Sequence, residues 1–400
     1  MDQRLQRLQV ENFRSLQRIN LPLGDLNVLV GPNGAGKTNV LQVFDFLTRM
    51  IFTDLLPALD GIGGFDSVVF RGGERPPTSI KINLTATWTS HSRPSTPDKY
   101  ELRLTRRARS GSDRTLERAE EFSFHRTQDR QRNIYVSGER ARVVDRVDGA
   151  ESREQSIGIR RLSSGLSTLP RLVDEAGANE IALVASRLAS FRVFNVAVDR
   201  ARTGSRISSD SEPLEADASN LAAFLLTMAT SYPEEWGQLV EDARAVLPQV
   251  RGIDFIYPSG PAREVVAVLL ESGLRAPTQL ADASYGTIRL LGLLALLYDP
   301  EPAALTCIEE IDHGLHPQAL ELLVQRLREA GERTQLIIAT HSPTLADRLH
   351  PEEIIICERR TDGSSAIPAI RSSQVRSIVA ASGGQPLGEL WFTGALGGDL

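Results

Sequence analysis

The chain has 400 residues, 41% apolar and 24% charged, with a net charge of −6. This is a globular composition with room for one large domain or two ordinary ones. It excludes a whole-chain polyanion binder, and the longest apolar run near the C-terminal motifs, Leu290 to Tyr298, is far too short to cross a bilayer. The opening residues Met1 to Arg7 carry no apolar signal core, so a cytoplasmic protein with no membrane partner is expected. Cys307 and Cys357 fall in predicted core strands and are expected as buried thiols in a reducing compartment.

In chain order, a strand is predicted at about Leu8–Phe13 and a second at Leu26–Val30, both read as strands covered on both faces, as are the three near the C-terminal end. Directly after it, Gly31-Pro32-Asn33-Gly34-Ala35-Gly36-Lys37-Thr38 is a complete G-x-x-x-x-G-K-[ST] phosphate loop. Asn39 then opens a stretch with helical apolar spacing, predicted as a helix over Lys37–Met50. Strand, glycine-rich loop and helix give the motif its chemistry. The glycines let backbone N–H groups wrap a phosphate, and the helix N-terminus adds orphan donors and a positive dipole end. Lys37 is placed to bridge β- and γ-phosphate oxygens, and Thr38 to ligate Mg²⁺. A nucleoside triphosphate is therefore the expected ligand, bound by Gly31 through Asn39.

Between residues 68 and about 148 short alternating runs predict strands at Ser79–Thr85, Tyr100–Thr105, Glu121–His125 and Asn133–Val136. Twelve arginines against eight acids lie between Glu101 and Arg146, including Arg106, Arg107 and Arg109. This segment is either a solvated β surface or a face for double-stranded DNA. From about Ile159 to Leu247 the pattern is helical, with Leu169–Val173 and Asn179–Val184 as candidates. Ala201 to Ala216 is a polar loop, and Ile253–Tyr257 with Glu264–Leu270 forms a hairpin. No sustained heptads occur, so long coiled-coil arms are not expected.

Three further elements complete the pattern. Ser284-Tyr285-Gly286-Thr287 precedes an apolar helix at Gly286–Tyr298 that carries Arg289. A strand at Ala304–Glu309 ends in Glu309-Glu310 and runs into Ile311-Asp312-His313-Gly314-Leu315-His316-Pro317, with a helix at Gln318–Ala330. A strand at Gln335–Thr340 leads to His341-Ser342-Pro343, and another lies at Glu353–Cys357. Carboxylates at a strand end are costly without a partner, which points to a bound cation. Successive strand residues face opposite ways, so Glu309 and Glu310 reach one cleft only if the strand breaks at Glu310. Without that break Asp312 competes as the base.

In this order and spacing the motifs resemble the ABC-class ATPases of the SMC/RecF/OLD group. Gln9-Val10-Glu11-Asn12-Phe13-Arg14-Ser15 looks like that group's first strand. The stretches Leu214–Ala222 and Leu387–Gly398 look like bacterial stand-alone AAA-type ATPases. The resemblance implies an α/β head: a mostly parallel core sheet built from both chain ends, an antiparallel β subdomain and a helical signature lobe. The implied divisions are 1–67, 68–150, 151–280 and 281–400, with no TOPRIM domain in the 59 residues after His341.

The roles follow from the same resemblance. Glu309 would hold Mg²⁺ with Thr38, Glu310 would be the general base, and His341 would contact the γ-phosphate and the attacking water. Ser284 and Gly286 would touch ATP across a homodimer, and Arg289, one turn into the helix, would support the γ-phosphate or a neighbouring acid. Asn12 and Arg14 would contact the nucleoside, and His313 and His316 belong to a subunit-contact loop. No glutamine lies between Gln42 and Gln128, so the Q-loop has no counterpart there. The implied output is an ATP-driven dimer acting on DNA or a partner protein, in repair or anti-phage defence; the alternative is an ATPase sensor beside a separate effector.

Overall fold

The computed structural model describes residues 3–108, 114–127, 130–147, 150–171, 178–207, 212–258 and 263–397. Its middle layer is a five-stranded parallel sheet in the order Arg192–Phe194, Leu305–Glu309, Gln335–Thr340, Leu26–Val30, Ile354–Ile356. The pairings are parallel, and the register sets Glu309 beside Ala339 and Thr340 beside Val30. The C-terminal ends therefore lie side by side, so the phosphate loop, Glu310 and His341 all leave the sheet at one edge. Ligands gather at that edge in open α/β sheets.

Burial explains why these strands read as unbroken apolar runs. Leu29, Cys307, Ile337 and Ile355 face one core, while Val28, Val30, Ile308, Ile338 and Ile356 face another. A strand covered on both faces has no solvent side to mark with polar residues. Both cysteines are buried free thiols, as expected. The helix Lys37–Thr53 buries Val40, Phe44, Leu47 and Met50 in the first core, between the parallel sheet and a second sheet. The signature helix Tyr285–Leu297 and the helix Pro317–Gly331 pack in the second core.

The second sheet is antiparallel and eight-stranded, in the order Leu16–Pro22, Leu5–Phe13, Ser79–Ala86, Asp98–Ala108, Arg114–Thr127, Arg130–Ser137, Arg140–Val147, Ala150–Gly158. This corrects the placement of the first strand, which reads from sequence as doubly covered. Leu8 and Val10 are buried while Gln9 and Glu11 are half-buried, the alternation of a one-sided sheet. The last two strands, rich in charge and poor in apolar alternation, escape sequence reading; they are held by ladder pairing to Arg130–Ser137 and to each other.

Of the predicted helical candidates, Ala178–Ala189 is a helix and Leu169–Arg171 a single 3₁₀ turn, while Leu172 and Val173 lie outside the described residues. Within the polar loop Ser205–Arg206 forms a short strand against Val265 and Glu264, and residues 208–211 lie outside the described residues. The strands Val250–Ile256 and Glu264–Glu271 pair antiparallel, as the hairpin prediction requires, and pack on the helices Leu221–Ser231 and Pro233–Val246.

A buried ion pair ties the antiparallel sheet to the segment after it. The Arg118 and Glu120 side chains have no exposed surface, and Nε lies 3.6 Å from Oε1. Glu120 accepts from the Tyr100 hydroxyl, Ser164 Oγ and Gly165 N–H, while Arg118 donates to the carbonyls of Gly138, Arg160 and Arg161. Burial pushes the Glu120 carboxyl up, and Arg118 opposes it. Removing Arg118 strands a buried carboxylate, so Arg118→Met should cost about 3–5 kcal/mol in urea unfolding of the full chain. An unchanged unfolding midpoint would show that the pair contributes nothing.

Candidate active site

The phosphate loop links Val30 to the helix Lys37–Thr53, with Gly34 and Gly36 at φ 81° and 101°. Gly36 is required twice over, because a Cβ there would lie 2.1 Å from Ser365 Oγ and 2.8 Å from Ser15 Oγ. Those hydroxyls are 2.7 Å apart, and Asn39 Nδ2 donates to Ser15 Oγ at 2.6 Å. Gly31 lies under the Cys357 carbonyl, 2.2 Å from where a Cβ would stand. Lys37 Nζ donates to the carbonyls of Gly31 and Pro32 at 2.7 and 2.9 Å. Burial lowers the Lys37 pKa; Cys357, Glu310 and Asp312 act in the opposite direction.

One cleft of about 260 Å³ is lined by Asn33, Gly34, Gly36, Lys37, Thr38, Asn39, Glu309, Glu310, Ala339, His341 and Arg359. Sequence separated these groups by up to 326 positions; the aligned strand ends bring them together. The break at Glu310 that the chemistry requires is present. Glu310 has φ 47°, in the left-handed region that costs a non-glycine residue about 1 kcal/mol or more. Its N–H donates to Ala339 O at 2.9 Å, and Arg289 Nη2 donates to the carbonyls of Glu309 and Glu310 at 3.2 and 2.5 Å. These contacts over-determine the turn, and both residues line the cleft.

Asp312, the competing base, is otherwise engaged: its Oδ1 accepts from Thr340 Oγ1 at 2.5 Å, and it does not line the cleft. Arg289 is buried at 3% exposure and braces the strand break instead of reaching into the cleft. Asn12 and Arg14 are also directed away from the cleft lining. Asn12 Nδ2 donates to Ser79 O, and Arg14 Nη2 to Ile62 O. Pro32 and Ala35 shape the loop without lining the cleft; Ala35 N–H donates to Pro32 O.

Ser284 caps the helix Tyr285–Leu297, its Oγ accepting from Thr287 N–H at 3.2 Å. Gly286 packs on the loop after Glu310, where a Cβ would lie 2.6 Å from Gly314 O. Beside it the rings of Tyr285 and His313 are 5.5 Å apart, and His313 Nδ1 is 3.8 Å from Glu310 Oε2. Neither Ser284 nor Gly286 lines the cleft of its own chain. Among the described residues no group of three or more His, Cys, Asp or Glu is arranged to hold a metal. Thr38 and Glu309, in contrast, offer hard oxygen donors to a single cleft. Magnesium suits that set, since it keeps several waters and takes only one or two protein oxygens beside substrate phosphates.

Arg359 is the residue that sequence reading missed. The strand before it was legible, but nothing local marks the residue two positions past Cys357 as facing the phosphate loop. The arginine-rich surface is largely neutralised. Arg106 pairs with Asp66, Arg107 with Glu117 at 2.8 Å, Arg103 with Glu101 at 3.1 Å and Arg132 with Asp145 at 2.6 Å. Arg109 lies outside the described residues. A larger hollow of about 580 Å³, with His125, Arg126 and Arg130 in its lining, sits beside this sheet and shares no residue with the phosphate-loop cleft.

Residues 26–347 match the family described as "AAA domain, putative AbiEii toxin, Type IV TA system", and the chain belongs to that family. An OLD nuclease of Thermus scotoductus is 26% identical over 389 residues, 94% of this chain; the chain spans 66% of that relative's length. RecF, a DNA replication and repair protein of Proteus mirabilis, is 51% identical over only 39 residues, 10% of this chain. Among solved structures, an Smc head bound to the C-terminal winged-helix domain of ScpA aligns with TM-score 0.53 at 14% identity, covering 91% of this chain and 96% of that one. A Pyrococcus furiosus Smc head with an extended coiled coil, bound to the C-terminal domain of ScpA, aligns with TM-score 0.51 at 11% identity, covering 95% and 99%. The fold is thus that of an SMC-type head, carried by a chain of the AAA-domain family.

Proposed function

We propose that this member of the AAA-domain family hydrolyses ATP at two sites shared between two copies of the chain, and that the open or closed state of the dimer is its output. The observation that carries this reading is the split arrangement: Lys37, Thr38, Glu309, Glu310 and His341 share one cleft, while Ser284 and Gly286 lie outside it beside the loop after Glu310. In this reading the phosphate loop and Lys37 hold the β- and γ-phosphates. Glu310 takes a proton from an in-line water and His341 orients that water and the γ-phosphate. Thr38 and Glu309 would hold Mg²⁺, which would supply neutralisation of the phosphate charge. Catalysis is then positioning and electrostatics. Ser284 and Gly286 present a helix N-terminus to the nucleotide held by the partner.

The test uses two variants that fail for different reasons. Ser284→Arg should bind ATP normally as a monomer yet neither dimerise nor hydrolyse, because the new side chain blocks only the face offered to the partner. Mixed with Lys37→Ala it should regain part of the wild-type turnover, since one composite site joins an intact phosphate loop to an intact signature. Loss of ATP binding by Ser284→Arg alone would overturn the shared-site reading.

Two readouts are open to such a dimer, double-stranded DNA and a separately encoded effector protein. The pairing of Arg103, Arg106, Arg107 and Arg132 with carboxylates favours the effector, because a phosphate contact would first have to break an existing ion pair. The family's toxin–antitoxin description and the nuclease name of the Thermus relative fit an effector-linked ATPase in defence or repair.

A further inference from the structure

We propose that Arg359 is a nucleotide-binding residue that donates to a terminal-phosphate oxygen of the ATP held by its own chain; this rests on the ATP-binding reading of the cleft. Arg359 lies in the two-residue strand Glu358–Arg359, which pairs antiparallel with Ser365–Ala366 and sets Arg359 opposite Ser365. Ser365 is fixed to Ser15 by two hydrogen bonds and packs against Gly36 of the phosphate loop. Its N–H donates to Ser15 O at 2.8 Å, and its Oγ sits against Ser15 Oγ in the space that only a glycine at 36 leaves open. The hairpin is therefore seated on Ser15 beside the phosphate loop. Its arginine is delivered to the rim, with Nη1 3.5 Å from Gly34 O.

That contact is long for a hydrogen bond and accounts for only one of five donors. Among the described residues no carboxylate lies within ion-pair distance of Arg359, whereas Arg103, Arg106, Arg107, Arg126 and Arg132 all have one. An exposed guanidinium without a carboxylate, facing the same cleft as Lys37 and the loop N–H groups, completes a site for concentrated negative charge. Its planar fork matches two phosphate oxygens in a way that an ammonium does not. The neighbouring Arg360 lies in the hairpin turn and is absent from the cleft lining, which makes it the internal control.

The experiment is calorimetric titration of the full-length wild type, Arg359→Ala, Arg359→Lys and Arg360→Ala with ATP, ADP and AMP in the presence of Mg²⁺. Arg359→Ala should weaken ATP about 10- to 100-fold, the range for one lost charge-assisted contact. AMP, lacking terminal phosphates, should change less than threefold, and Arg359→Lys should recover part of the ATP affinity. Arg360→Ala should bind as wild type, and all four proteins should melt within a few degrees of one another. ATP binding by Arg359→Ala at wild-type affinity would overturn the assignment, as would an equal loss of AMP. Failure of the wild type itself to bind ATP would instead overturn the reading of the whole cleft.

Discussion

Lys37→Ala should abolish measurable ATP binding. The ammonium is the one lysine in the cleft, held by the first turn of a helix that starts at the phosphate loop. It donates to the Gly31 and Pro32 carbonyls, so two of its three donors are satisfied at the mouth of the phosphate loop. Exchanging these neutral acceptors for anionic ones yields charge-assisted bonds worth roughly 1.5–3 kcal/mol each, and losing two is a change of about 10²–10⁴ in affinity. Lys81 and Lys99 lie in the antiparallel sheet and cannot substitute. The fold should survive, because the backbone contacts of the loop, such as Ala35 N–H to Pro32 O, do not involve the lysine side chain. Calorimetry showing near-normal affinity would remove the nucleotide from this loop.

Glu310→Gln should leave ATP binding intact, reduce turnover by about 10²–10⁴ and trap an ATP-dependent dimer visible by light scattering. The amide keeps the size of the side chain and its left-handed backbone, still held by Ala339 O and Arg289, and loses only the ability to take a proton. Asp312→Asn is the informative contrast. The Asp312 carboxylate is committed to the Thr340 hydroxyl, so an amide there should leave most turnover in place. If Asp312→Asn gave the trapped dimer and Glu310→Gln turned over normally, the base would have to be reassigned.

The two glutamates show the limits of a sequence. That a strand ends in Glu309-Glu310 is legible, but which face each carboxylate takes depends on one torsion. That torsion is set by the Ala339 carbonyl and by Arg289, neither of them adjacent in the chain. Arg289 reads from sequence as a partner for the γ-phosphate or for a neighbouring acid, and only its burial shows it bracing the strand break. The first strand misled for a related reason, since its alternation matters only once its neighbours are known to be Leu16–Pro22 and Ser79–Ala86.

Local chemistry was enough for the nucleotide loop. Its glycines, its lysine and the turn from strand to helix act within eight consecutive residues, so the motif carries its own geometry. The same holds for the strands Leu26–Val30 and Gln335–Thr340, whose bounds follow from uninterrupted apolar runs. What only the tertiary structure decided is the company these segments keep. Arg359 stands 325 positions from Gly34, and the hairpin that carries it is seated by a serine pair 350 positions apart. No periodicity encodes such a contact, because it arises when parallel strands from both ends of the chain close their register and leave their carboxyl ends at one edge.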